Sequence, residues 1–205
     1  MNPETGPAST TASRIDAQPR ASGALLIARR SLAIGLGALI VALAAQVVVP
    51  VPFSPVPMTL QPLAVIAVGG LLGGAAGASA LLLYIALGIL GLPVFAAGGS
   101  GVTHLLGPTG GYLLAFPVAA GVAGALTGRS PDAAAPSSVL RVLLACALAM
   151  VIIHAGGVAQ LALLGGDPAL AFRVGFVPFL TGDLLKVGLA ATLILAAGPK
   201  LRQLL

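Results

Sequence analysis

Residues 31–49 read SLAIGLGALIVALAAQVVV, an uncharged apolar run that stops at residues 50–57, PVPFSPVP. A helix rises about 1.5 Å per residue and the hydrocarbon core of a bilayer is about 30 Å thick, so roughly 20 such residues cross it once. Proline rings fix φ and remove N–H donors, so the helix cannot run on through the second stretch. The same ruler fits five more times along the chain, over about 59–73, 75–91, 110–128, 139–164 and 174–198. The fold expected is all-α: a bundle of six transmembrane helices. The segment GGLLGGAAG between the second and third spans also admits one kinked, unusually long pair.

The composition demands this solvent. Of 205 residues, 58% are hydrophobic and 7% charged, and the mean hydropathy is +1.09. A soluble domain carries about 25% charged residues, and this chain lacks the polar groups to cover itself in water. Residues 1–29 are polar and rich in Ser, Thr, Pro and Ala, and read as a flexible tail before a membrane domain at 30–205. A cleaved signal peptide at 29–44 is an alternative, but the run continues apolar to Val49 and five spans follow. Cys146 is the single cysteine, which excludes an internal disulfide and a Cys-rich metal site. Two Tyr, six Phe and no Trp, with no basic cluster, argue against nucleic acid. No GxxxxGK[ST] phosphate loop is present, so the chain does not hydrolyse ATP by itself, and no cofactor is expected.

Positive charge sets the orientation. With the amino terminus in the cytoplasm, Arg14, Arg20, Arg29, Arg30, Arg129, Arg141, Lys200 and Arg202 fall on that side and Arg173 opposite, which places both termini in the cytoplasm of a multi-pass cell-membrane protein. The outer segments PVPFSPVP and LPVFAAGGSGVTHLLGP are then apolar and nearly uncharged. They read equally well as structured caps over a site and as tight packing turns.

Candidate chemistry centres on TGDLLKVG. Asp183 and Lys186, three apart, share a helix face inside an apolar span, where each ion costs about 2.5–3.5 kcal/mol. Such residues normally line a cavity or pathway; an internal salt bridge that only packs the bundle is the alternative. Gln61, just after the Pro-rich run, is expected to face inward. Tyr84 and Tyr112 are interfacial anchors or pocket walls, the anchor being the simpler reading of an isolated Tyr. His104 and His154 have no Asp or Glu at ligand spacing; each is expected to be a satisfied structural histidine, with no metal site. Gly98, Gly99 and Ser100 form a turn or a backbone surface for a ligand. Ser100 as nucleophile with His154 as base would make an intramembrane serine hydrolase, a reading with no orienting group to support it. Gly69 with Gly73, Gly70 with Gly74, Gly107 with Gly111, and Ala38 with Ala42 have spacings that license close helix packing.

Four motifs in order, VPFSPVPMTLQPLAV (51–65), LGLPVFAAGGSG (90–101), LLGPTGGYLLAFP (105–117) and the late GDLLK (182–186), make residues 31–205 resemble the BioY family, the biotin-specific substrate-binding subunits of energy-coupling-factor vitamin transporters. The resemblance implies a six-helix S-component bundle that captures biotin from outside beneath caps formed by the outer loops. It also implies partners: a transmembrane coupling subunit and ATPase subunits that drive release inward. On this likeness Asp183 and Lys186 hold the bicyclic head of biotin, and Gln61 and the Gly98–Ser100 turn match ligand-facing motifs. Ser100 stands where some members carry an Asn-like residue. Ala38 and Ala42 match the small residues that contact the coupling subunit. For the valerate carboxylate no Arg or Lys other than Arg173 offers itself in the outer half, leaving backbone N–H groups, Tyr112 or water. A carrier for another small vitamin is the neighbouring alternative.

Overall fold

A computed structural model describes residues 19–128 and 136–204 of the chain; residues 1–18, with Arg14, and 129–135, with Arg129, lie outside the described residues. The fold is a bundle of α-helices: α1 Pro19–Ala45, α2 Gln61–Leu72, α3 Gly74–Ile89, the short α4 Val102–Leu106, α5 Gly110–Thr127, α6 Pro136–Gly165, α7 Pro168–Gly175 and α8 Leu180–Leu204. Among the described residues, four stretches are long and apolar enough to cross a membrane, over Gly23–Ala45, Gly110–Thr127, Ser138–Gly165 and Pro168–Arg202, and α2 and α3 are shorter apolar helices. Large apolar side chains stay exposed along the helices, among them Leu32, Leu36, Leu39 and Leu43 of α1. That distribution suits lipid, which solvates apolar surface but offers no hydrogen bonds to a bare backbone.

Helix α2 is the interior element. Ala64 through Gly70 are all buried, as an all-round apolar helix requires. It packs against α1, α3, α5, α6 and α8. Gly73 separates it from α3 with φ +87°, a conformation open to glycine, and a side chain at Gly77 would come within 2.7 Å of Gly69. The two helices therefore double back on each other at GGLLGGAAG, as a hairpin of two elements. Gly69 lies against the backbone of Ala120 and Gly111 against that of Gly156, so these small-residue spacings serve packing inside the bundle.

Three expectations change. The first helix begins at Pro19, inside the stretch read as tail, and packs Val41 and Ala45 into the core. It ends at Ala45, because Val48–Val49 pair antiparallel with Met58–Thr59 (Val48 opposite Thr59) and close the Pro-rich run as a loop. The span read at 174–198 is not one helix: α7 ends at Gly175, a single 3₁₀ turn follows at Val177–Phe179, and α8 starts at Leu180. Pro178, which has no N–H to give a ladder, stands at this break. The break places Asp183 in the first turn of α8, where the positive end of the helix dipole favours a carboxylate.

Candidate functional site

A cavity with about 540 Å³ of atom-free space, counted out through its mouth into open solvent, lies among the cap loops and helices α2, α5, α6 and α8. Val56 and Pro57 of the Pro-rich loop and Ala96 and His104 of the next one border it, so both loops are caps. Ser54 ties the first cap down by donating to the carbonyl of Val174 at 2.8 Å. Gln160 of α6 ties the second by donating to the carbonyls of Leu105 and Gly107 at 2.8 and 2.6 Å. Apolar walls come from Leu113, Phe116, Ile153 and Phe179.

Asp183 and Lys186 both border this cavity, nine-tenths or more buried. The pair is made: Lys186 Nζ donates to Asp183 Oδ1 at 3.0 Å. The other carboxylate oxygen is taken from a different helix, by His154 Nε2 of α6 at 2.6 Å. Oxygen acceptors face both nitrogens of His154, since its Nδ1 lies 3.3 Å from the carbonyl of Gly175, which also accepts from Tyr112 at 2.6 Å. The polar floor thus ties α5, α6, the end of α7 and α8 together. Lys186 keeps spare N–H groups and Asp183 spare lone pairs, so the pair can both donate and accept. His154 is satisfied, as expected, but not as a bystander: it borders the cavity and fixes Asp183.

Gln61 borders the cavity and its amide is held from both sides. Thr59 donates to its oxygen at 3.2 Å, and its nitrogen donates to Tyr84 Oη at 2.7 Å, which in turn donates to the carbonyl of Val94 at 3.1 Å. Tyr84 is fully buried behind Gln61 and does not border the cavity; Tyr112 is buried and does. Neither is an interfacial anchor, and Gly157 leaves the room that the ring of Tyr112 fills.

Gly98, Gly99 and Ser100 are not among the residues bordering the cavity. Gly99 instead receives the Cε1–Nδ1 edge of the His104 ring, which a side chain at 99 would strike, while Phe95 stacks on that ring with centroids 5.2 Å apart. His104 is not satisfied: its Nε2 is buried with no partner. Ser100 lies off the cavity that His154 borders, and the ring nitrogen of His154 not held by Asp183 faces the carbonyl of Gly175, so the two form no nucleophile and base. Ala38 is 2% exposed, inside the chain's own core, and Ala42 is partly buried against it; the open face of α1 belongs to the leucines beside them. Arg173 is exposed and does not border the cavity.

Sequence spacing gave no sign of His154, which stands 29 residues from Asp183, nor of His104 against Gly99. A histidine inside an apolar helix was the available signal, since such a group normally finds a partner.

Among known proteins, the chain is 39% identical over 147 residues to a probable biotin transporter BioY of Pyrococcus horikoshii, covering 72% of this chain and 82% of that one. It is 39% identical over 145 residues to the biotin transporter BioY of Thermotoga maritima (71% and 82%) and 35% over 159 residues to that of Rhizobium etli (76% and 85%). Its fold is similar to the crystal structure of the S-component for biotin from an ECF-type ABC transporter, with a TM-score of 0.71 at 23% identity, over 88% of this chain and 93% of that one. Residues 13–203 match the BioY family, and with these relatives, the all-α bundle and the motifs in order, the chain belongs to that family.

Proposed function

We propose that this chain is the biotin-capturing subunit of a vitamin transporter in the cell membrane, and that it takes biotin from the outer face. The observation that carries the reading is the cavity floor: a buried carboxylate and ammonium, clamped together and with free valences, beneath apolar walls. The ureido ring of biotin presents adjacent N–H donors and a carbonyl acceptor. Asp183 accepts from the former and Lys186 donates to the latter, with Gln61 as a further amide contact, while the thiophane ring and the alkyl chain lie against the apolar walls.

The orientation is six spans with both termini cytoplasmic. Support comes from the separation of charge and cavity: Asp183 sits in the first turn of α8, whereas Arg202 lies about 28 Å further along that helix at 1.5 Å per residue. Arg29 and Arg30 likewise lie in the half of α1 away from the caps. The basic end is the cytoplasmic one, which leaves the cavity facing out.

Delivery inward falls to a transmembrane coupling subunit with ATPase subunits. The chain has no phosphate loop of its own, and the similar solved structure is named as a component of an ECF-type ABC transporter. The face of α1 that carries Leu36, Leu39 and Leu43 is open to such a partner.

The test is equilibrium binding of biotin to the purified, detergent-solubilised chain, with Asp183→Asn and Lys186→Ala alongside. Saturable binding that each variant weakens by about a hundredfold or more, while both still insert into membranes, is the expected result, since removing one partner of a buried pair costs about 3–5 kcal/mol. Absence of binding by the well-folded parent overturns the ligand; a variant that binds like the parent overturns the anchor.

A further inference from the structure

Biotin, on the reading just proposed, brings a carboxylate at the far end of its chain, and the donors around the cavity are largely spent. Tyr112 gives its proton to the carbonyl of Gly175. The N–H groups of Gly98, Gly99 and Gly101 go to the carbonyls of Phe95, Ala96 and Gly88 at 2.8–3.1 Å. Thr59 donates to Gln61 and Gln61 to Tyr84, and the N–H groups that Lys186 keeps beyond its bond to Asp183 are given, on the reading above, to the ureido carbonyl on the cavity floor. Among the described residues, the buried side-chain nitrogen or oxygen left without a partner is His104 Nε2, on a residue that borders the cavity.

We propose that His104 is the anion subsite of this cavity: its Nε2–H receives the carboxylate of the bound ligand and selects acids over their neutral esters. A buried ring nitrogen without a partner is costly, and a carboxylate oxygen that draws the proton to Nε2 and accepts from it removes that cost. The ring is held for the purpose. Phe95 stacks on one face with an interplanar angle of 24°, Gly99 receives the Cε1–Nδ1 edge, and the Gln160 amide fixes the carbonyls of Leu105 and Gly107 that follow it in the chain. A rigid donor keeps the specificity that a mobile one would lose. The other titratable groups facing the cavity are Tyr112 from α5, His154 from α6, and Asp183 and Lys186 from α8. Both oxygens of Asp183, the carboxylate bordering the cavity, are matched by Lys186 and His154, so an arriving anion meets no uncompensated negative charge. The GGSG turn acquires a role here too: Gly99 is a packing floor for the anion-binding ring.

The experiment compares equilibrium binding of biotin and of biotin methyl ester to the parent, to His104→Phe, which keeps the stacking and removes the donor, and to His104→Gln, which restores an N–H. The parent is expected to prefer the acid by about tenfold to a hundredfold, the range of a hydrogen bond to a charged group. His104→Phe erases that preference by losing the acid while binding the ester as the parent does, and His104→Gln recovers part of it. Undiminished acid preference in His104→Phe overturns the subsite, and so does equal loss of both ligands, which would make the ring structural. Equal binding of acid and ester by the parent overturns it as well. A parent that binds neither fails the biotin reading itself, a result distinct from all of these.

Discussion

His154 of α6 holds Asp183 of α8 across the helix interface, Nε2 to Oδ2, at 2.6 Å. With Lys186 on the other oxygen, the carboxylate cannot rotate without breaking a bond. The cavity floor is thereby built from two long helices whose separation in sequence is bridged by one contact, and a change to either residue is felt at both.

His154→Phe leaves Asp183 with one partner and should weaken biotin binding by at least about tenfold, since a lost hydrogen bond to a charged group is worth about 1.5–3 kcal/mol. His154→Asn, with a donor on a shorter side chain, should recover part of that loss. Titration calorimetry on the purified variants checks both; binding by His154→Phe equal to the parent would show that Asp183 is positioned by Lys186 alone.

Tyr84→Phe removes the acceptor of the Gln61 amide and the donor to Val94 without touching the cavity wall. The two buried bonds are worth about 1 kcal/mol each. The expected outcome is a lower thermal midpoint in detergent with a severalfold loss of biotin affinity, because Gln61 is freed to rotate. A midpoint equal to that of the parent, read by a thiol-free fluorescence melt, would show the amide to be held by Thr59 alone.

Ala38→Leu overpacks a core position and should destabilise the chain by about 1–3 kcal/mol. Leu39→Ala, on the exposed face of the same helix, should leave the purified protein as stable as the parent. Melting both in one detergent separates the two. If Ala38→Leu melts like the parent, that face of α1 is looser than its packing against α2 and α3 implies.

The pH profile carries its own sign. Burial holds the His104 imidazole below its ordinary pKa in the empty cavity, and an arriving carboxylate favours the protonated ring. A group whose pKa rises on binding takes up a proton, so biotin affinity should strengthen as pH falls through and below the ordinary histidine value, about 6.5. Tyr112, His154, Asp183 and Lys186 face the same cavity, so the informative quantity is the difference between the parent and His104→Phe. Parallel profiles for the two would show that His104 stays neutral throughout.

The membrane fold was legible from local features, because helix length, apolar content and the prolines at 50–57 act over a few turns and need no knowledge of neighbours. Spacing alone put Asp183 and Lys186 on one face, and a helix turn keeps residues three apart together in any tertiary setting. Position along the chain also marked Gln61 as inward-facing. Other features depended on which helix lies beside which. Pro178 broke the last span where apolar content ran on unbroken. His154 reached Asp183 because α6 packs on α8, and Gly99 became the seat of an imidazole because the cap folds back on itself. Ala38 turned into the core although its spacing suited a partner equally well. A helix face is fixed by the sequence, but the partner it meets is fixed by rotation and packing of whole helices, which short-range periodicity does not encode.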